Sequence, residues 1–221
     1  MLLSKTGKII LLALFKGLSA LFFVIISFKT FANNAVSDYV IEGKPIKPWK
    51  LSVGNAFEWG IPIEDQQGKT KRANLIVSPI EINKPNDAIN VKWRGKDKAA
   101  WFSNITLNGN KIDLSSVEDK AALNLEIRIH REPTSIAKIT MRCNWKNDCQ
   151  GELPLNPLLS QLPQDEWTAL TLPLNCFNQE GQFDFKNVTD MFAISTQGKM
   201  ELDIANVYLV ALPEGNKGCK K

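Results

Sequence analysis

Histidine occurs once in the 221 residues, at His130, so sites built from several histidines and relays between paired histidines are excluded. An excess of one charge is also missing. The chain has 27 Lys and Arg against 23 Asp and Glu, but residues 1–32 hold four lysines and no acid, which leaves the other 189 residues with 23 of each. A nucleic-acid binder needs a cationic surplus to displace phosphate counterions, and this body has none. There is no Gly-x-Ser-x-Gly nucleophile elbow and no glycine-rich phosphate loop. Internal repeats, low-complexity linkers and long stretches of 3.6-residue periodicity are lacking too, which argues against a solenoid or a mainly helical fold.

What is present is an ordinary globular composition, 44% hydrophobic, which excludes a disordered or collagen-like chain. About 190 residues bury roughly 70% of their unfolded surface, enough for one self-sufficient core. Residues 1–32 run from Lys5 and Lys8 through the apolar runs Ile9–Phe15 and Gly17–Phe28 to Thr30-Phe31-Ala32. Positive, apolar and small-residue regions in that order read as a secretory signal. The alternative is an uncleaved membrane anchor over residues 9–28, with Lys16 snorkelling. Lys16 leaves a continuous apolar run of only 12 residues, which favours a cleaved signal. Either way the body is placed outside the cytoplasm, in the periplasm or secreted.

In the body, residues 33–72 are loosely patterned, with Pro45, Pro48 and Pro62 limiting regular structure. Residues 73–212 show short alternating runs separated by turn chemistry, and 213–221 form a flexible basic tail. Ile76, Ser78, Ile80 and Ile82 share one phase. Leu123, Leu125, Ile127 and Ile129 alternate with Asn124, Glu126, Arg128 and His130. Further strands are expected at residues 89–94, 100–107 (closed by Asn108-Gly109), 136–143, 167–172, 191–195 and 200–210. Short helical turns are expected at 157–162 and 174–177. This pattern predicts an all-β fold, an antiparallel β-sandwich.

One stretch is more specific. Glu166-Trp167-Thr168-Ala169-Leu170-Thr171-Leu172-Pro173-Leu174 leads into Asn175-Cys176-Phe177, and Met200-Glu201-Leu202-Asp203-Ile204-Ala205-Asn206-Val207-Tyr208-Leu209 closes the domain. With Leu107-Asn108-Gly109, Ile112-Asp113-Leu114-Ser115, Met141-Arg142-Cys143 and Cys149-Gln150-Gly151, these segments resemble the ExoP-type galactose-binding-like domain. That domain lies at the C-terminus of some bacterial glycoside hydrolase family 3 glucosidases. The resemblance runs from about Ile76 to Val210, more weakly back to Trp49. It implies a jelly-roll sandwich associated with glucan breakdown, and no catalysis. The catalytic domains have no room here, and the Ser-Asp-Trp nucleophile segment and Lys-His motif of that hydrolase family are absent.

The residues themselves offer few catalysts. Glycosidases need two carboxylates about 5–9.5 Å apart, and the adjacent pairs Glu64-Asp65 and Glu118-Asp119 sit in turn-rich sequence where solvation is the usual fate. His130 falls in the outward phase of its strand and reads as a surface residue. The four cysteines allow three pairings. Cys143 and Cys149 flank the polar turn Asn144-Trp145-Lys146-Asn147-Asp148 and are expected to pair across a hairpin, Cys176 fits a buried thiol, and Cys219 lies in the tail. Of the six tryptophans, Trp93 and Trp167 are expected in the core. Trp145, in its polar loop, and Trp101 are the candidates to stack on a sugar, with Asn144, Asn147 and Asp148 as hydroxyl partners. No metal site is expected. A structural Ca²⁺ of the kind such jelly rolls carry is left open, with Asp203 as its ligand, although a solvated Asp203 is the plainer reading.

The expected function is therefore a non-catalytic, exported accessory module that binds a glucan or oligosaccharide beside a glycoside hydrolase partner. The alternative is a structural or protein-interaction sandwich with no sugar site. No nucleic-acid partner is expected, and a membrane enters only if the signal stays uncleaved.

Overall fold

The computed structural model describes residues 37–95 and 102–219, so the signal reading of residues 1–32 and the candidate Trp101 lie outside the described residues. Two antiparallel sheets form a β-sandwich. Sheet A runs in the order β12 (Trp167–Pro173), β9 (Ala121–Arg131), β14 (Lys199–Ala211), β7 (Ala88–Arg94), β6 (Leu75–Ile80) and β5 (Gly68–Lys69). The strand β1 (Ser37–Ile41) also pairs with β14 and carries β2 (Lys44–Pro45). Sheet B runs β11 (Gln150–Pro154), β10 (Ala137–Cys143), β13 (Val188–Thr196), β8 (Ser103–Ile112), β3 (Lys50–Asn55) and β4 (Glu58–Pro62).

The core is the meeting of two alternating patterns. Leu123, Leu125, Ile127 and Ile129 of β9 and Leu202, Ile204, Val207 and Leu209 of β14 pack in one buried cluster with Leu51, Val53, Ile105, Leu107, Ile139, Phe192 and Ile194 of sheet B. Period-two alternation puts every second side chain into that interior. Trp93 is buried as expected, and its indole N–H donates to the Ser103 carbonyl at 2.8 Å, which satisfies the one polar atom it carries inward. The alternation of β14 changes phase between Ile204 and Val207, where its register with β9 shifts. This bulge keeps Ile204 and Val207 both inward and turns Asn206 out, so that its side chain meets Glu126.

Four expectations are corrected. The prolines at 45, 48 and 62 do not suppress strands: residues 37–69 form β1 to β5, and β3 pairs with β8 inside sheet B. Pro45 and Pro62 end their strands, where no ladder hydrogen bond is lost, and Pro48 lies in the turn between β2 and β3. In β6 the buried phase is Leu75 and Val77, while Ile76, Ser78 and Ile80 are only partly covered. Asn108-Gly109 does not close a strand but lies within β8. Gly109 serves the packing of Trp49, whose ring a Cβ would approach to 2.6 Å. Finally, Cys176 is no thiol, and the tail is tied down by a Cys176–Cys219 disulfide. Cys219 N–H and the Lys217 carbonyl also bond the Asn175 side chain. The expected Cys143–Cys149 disulfide is present. The helical turns at Asn156–Leu159 and Leu174–Asn178 match their sequence reading, and a third at Phe185–Asn187 was not foreseen.

Candidate functional site

The outward side chains of sheet B fall into three rows set by strand register. The middle row is Ser52, Thr106, Ala193 and Thr140, ending at Glu152. On one side of it run Gly54, Asn104, Ser195 and Lys138, and on the other Lys50, Asn108, Asp190, Arg142 and Gln150. The short side chains of the middle row are only 2 to 7% exposed and lie lower than the longer hydrogen-bonding ones along the margins, which gives the face the form of a shallow trough. All nine residues of β13 are buried, including Ala193 and Ser195, which point away from the inter-sheet core.

The polar margins are held in place by ion pairs. Arg142 Nη1 donates to Asp190 Oδ2 at 3.2 Å, and Lys138 Nζ donates to Glu152 Oε1 at 2.6 Å, an oxygen that also accepts from Gln150. Burial pushes the Asp190 carboxyl above the usual carboxylate range against the pull of Arg142. Aromatic rings stand beyond the two margins of the trough. Lys138 Nζ lies 5.3 Å from the centre of the Phe102 ring, immediately before β8 on one side, and Lys111 Nζ lies 5.2 Å from the Trp145 ring, past the Arg142 margin on the other.

Trp145 is set by its hairpin. Asn144 and Trp145 both adopt left-handed backbone conformations, with φ of 57° and 53°, an uncommon position for a bulky residue. The turn is fixed by the Cys143–Cys149 disulfide, by Cys143 N–H on the Cys149 carbonyl at 2.8 Å, and by Trp145 N–H on Thr189 Oγ1 at 3.1 Å. The residue is left 63% exposed. Asn144 stays with it, accepting from Lys111 Nζ at 2.8 Å and donating to Asp184. Asn147 and Asp148 do not join them. They line a separate pocket of about 410 Å³ together with Gln150, Asn178 and Gln182.

The outer face of sheet A overturns three further readings. Asp203 is not solvated but 1% exposed. Its Oδ1 accepts from Asn90, and its Oδ2 accepts from Arg128 Nε at 2.8 Å, Arg128 Nη2 at 2.7 Å and His130 Nε2 at 2.7 Å. Donors, two of them on cationic side chains, thus occupy this carboxylate, and it does not fit a calcium ligand. Among the described residues no group of three His, Cys, Asp or Glu is placed to hold a metal. His130 is no free surface residue either, because its Nδ1 meets Asp165 Oδ1 at 2.7 Å. Each ring nitrogen thus faces a carboxylate oxygen, an arrangement that favours hydrogen on both, the imidazolium. Burial pulls its pKa down, but the bonds to Asp203 and Asp165 outweigh this and raise it. Trp167 is not core. Arg128 lies 5.0 Å over its ring on the outer face, beside a cleft of about 750 Å³.

Sequence reasoning missed the Arg142–Asp190 pair, Phe102 and the outward face of Trp167. For Trp167 the signal was present: Leu170 and Leu172 are the inward phase of β12, which puts residue 167 on the other side.

Residues 47–209 match a family described as Exop_C, galactose-binding domain-like. No curated protein matches the chain. Among solved structures, the extra C-terminal domain (X) of exo-1,3/1,4-β-glucanase (ExoP) from a Pseudoalteromonas species is similar with a TM-score of 0.64 at 17% identity, over 83% of this chain and 99% of that one. Against the exo-1,3/1,4-β-glucanase (EXOP) structure from the same organism the TM-score is again 0.64 at 17% identity, over 81% of this chain but 21% of that one. The family 30 carbohydrate-binding module of a cellulosomal cellulase from Clostridium thermocellum is similar with a TM-score of 0.52 at 15% identity, over 81% of this chain and 99% of that one.

Proposed function

The chain belongs to the Exop_C family of galactose-binding domain-like modules, and from that membership we propose that it is a non-catalytic carbohydrate-binding module acting beside a glycoside hydrolase on β-glucan. Its site is the trough on sheet B. The observation that carries this reading is the row of short side chains Ser52, Thr106, Ala193 and Thr140, flanked by fixed hydrogen-bonding groups. Such a floor lets an extended chain of sugar rings lie across several strands. Asn104, Asn108, Asp190 and Arg142 supply donors and acceptors for hydroxyls, and Phe102 and Trp145 supply ring faces beyond the two margins. The acids of this face are already engaged, Asp190 by Arg142 and Glu152 by Lys138, so neither stands free as a general acid or base. The similar domains named above come from a glucanase and a cellulase, which supports β-linked glucose polymers as the ligand class. Two disulfides fit an oxidising compartment, in keeping with export.

A shallow, preformed site of this kind is expected to bind with a dissociation constant on the order of 0.1–1 mM, or about −4 to −5.5 kcal/mol. The test is calorimetric titration of β-1,3- and β-1,4-linked glucose oligosaccharides into the wild type and into Arg142→Ala/Asp190→Ala, removed together so that neither charge is orphaned. At least a tenfold loss in the double variant is expected, with no turnover of aryl-β-glucosides by either protein. Unchanged affinity in a folded double variant would remove the trough as the site.

A further inference from the structure

The opposite face of the sandwich carries a second cavity that the trough does not account for. Its floor is built from β12 and β9, where Trp167 stands beside Arg128 and the small Ala169 lies opposite Glu126. The bulge of β14 adds Asn206. Its walls are the β1–β2 turn at Glu42 and the turn at Ile82–Asp87.

Side-chain bonds tie the walls of this cleft together and hold part of its floor. Glu126 accepts from Asn206 Nδ2 at 2.5 Å and from Tyr208 Oη at 3.0 Å. Asn206 in turn accepts from the Glu42 N–H at 2.9 Å. Gln66 donates to the carbonyls of Glu42 and Asn86 and so ties the two walls together, and Lys84 bridges them again by its 2.6 Å ion pair with Glu42. Asp87 is consumed within its own turn by three backbone N–H groups. On the floor, the Arg128 guanidinium packs over the Trp167 ring, and the indole N–H is buried and meets no acceptor from the chain.

We propose that this cleft is a second sugar-binding site, independent of the trough, which takes a neutral pyranose at Trp167. The ligand class rests on the carbohydrate reading above, and the location does not. The volume of about 750 Å³ lies in the range of small-molecule sites. An aromatic ring beside a carboxylate and an amide offers an apolar face for a pyranose ring with acceptors and a donor for its hydroxyls. Charge selects among glycans. The lining holds Glu42, Asp87 and Glu126 against Lys84, and the charge of Arg128 beside Trp167 is already met by Asp203, so a uronate or sulfated sugar is repelled and a neutral one is accepted. The sheet B trough has the reverse balance, with Lys50, Lys138 and Arg142 against Asp190 and Glu152. Two weak sites on opposite faces cannot share one short oligosaccharide, but they can link two polysaccharide chains and gain avidity on an insoluble glucan.

The test is NMR titration of the ¹⁵N-labelled protein with cellotetraose and laminaritetraose, and with an oligogalacturonate of equal length. Ala169 is exposed on the cleft floor, so Ala169→Tyr fills the cleft without entering the core. In the wild type, amides at 165–169 and 205–206 are expected to shift with the neutral sugars as a set distinct from those of β8, β10 and β13, and not with the uronate. Ala169→Tyr is expected to abolish the first set and keep the second, while Arg142→Ala/Asp190→Ala does the opposite. If the first set is missing from a wild type whose trough amides do shift, or survives in Ala169→Tyr, the second site is wrong and the trough reading stands. If only the first set appears, the trough reading fails and this one stands. A folded wild type in which neither set moves with any of the sugars overturns both.

Discussion

His130 Nε2 and Asp203 Oδ2, 73 residues apart in the chain, meet at 2.7 Å on the outer face of sheet A and join β9 to β14 by a charged hydrogen bond. Because Asp165 takes the other ring nitrogen, the same imidazolium also fastens the segment leading into β12. The folded pKa of His130 lies above its ordinary value of about 6.5. Its contribution to stability is therefore complete below about pH 6.5 and is lost as pH rises through the raised folded value. Denaturant midpoints measured between pH 5.5 and 9 are expected to fall across that window in the wild type. In His130→Gln the fall should vanish, and the variant should be the less stable protein at the acid end only.

The two disulfides should differ in worth. Cys176 and Cys219 close a separation of 43 residues, Cys143 and Cys149 one of 6. On the chain-entropy relation these loops correspond to about 4 and about 2 kcal/mol. Replacing the first pair by serine is expected to lower the melting temperature clearly more than replacing the second. Equal losses would mean that loop length is not what sets their contribution.

Gly109 offers a test of packing against turn chemistry. A Cβ there would come within 2.6 to 3.0 Å of three atoms of the Trp49 ring, which is itself packed edge-on against Tyr39. Gly109→Ala is expected to destabilise by about 1–3 kcal/mol, as overpacking does. Trp49→Leu combined with it should recover part of that loss, because the ring is what the new methyl meets.

That position also marks where sequence reading stops. Asn108-Gly109 has the chemistry of a hairpin turn, and only the partner ring across the fold shows why the glycine is there. The alternation of Leu123 to Ile129 was legible because each strand records its own inward face. The isoleucines at 76, 80 and 82 misled because an apolar outward face looks the same as an inward one when the partner sheet is unseen. Asp203 was legible as outward from Leu202 and Ile204 beside it, but not as buried, since Arg128 and His130 reach it only through the register of β9 on β14. The trough was hidden for the same reason. Ser52, Thr106, Ala193 and Thr140 become one row only when four strands are laid side by side.

Trp145 is the remaining aromatic whose role separates two outcomes. The residue is 63% exposed, and its turn is closed by a disulfide and by backbone N–H groups that donate to the Cys149 carbonyl and the Thr189 hydroxyl. A ring already held in place loses little entropy when a sugar stacks on it, so its contribution should appear in affinity rather than in stability. Trp145→Ala is expected to weaken binding of β-glucan oligosaccharides about 5- to 10-fold, or about 1–1.4 kcal/mol, with a melting temperature within about 2 °C of wild type. Trp145→Phe should keep most of the affinity, since it keeps a ring face. If instead Trp145→Ala leaves binding unchanged and lowers the melting temperature by several degrees, the indole is shielding the sheet edge. Sugar contacts would then have to come from Phe102 and the polar margins of the trough.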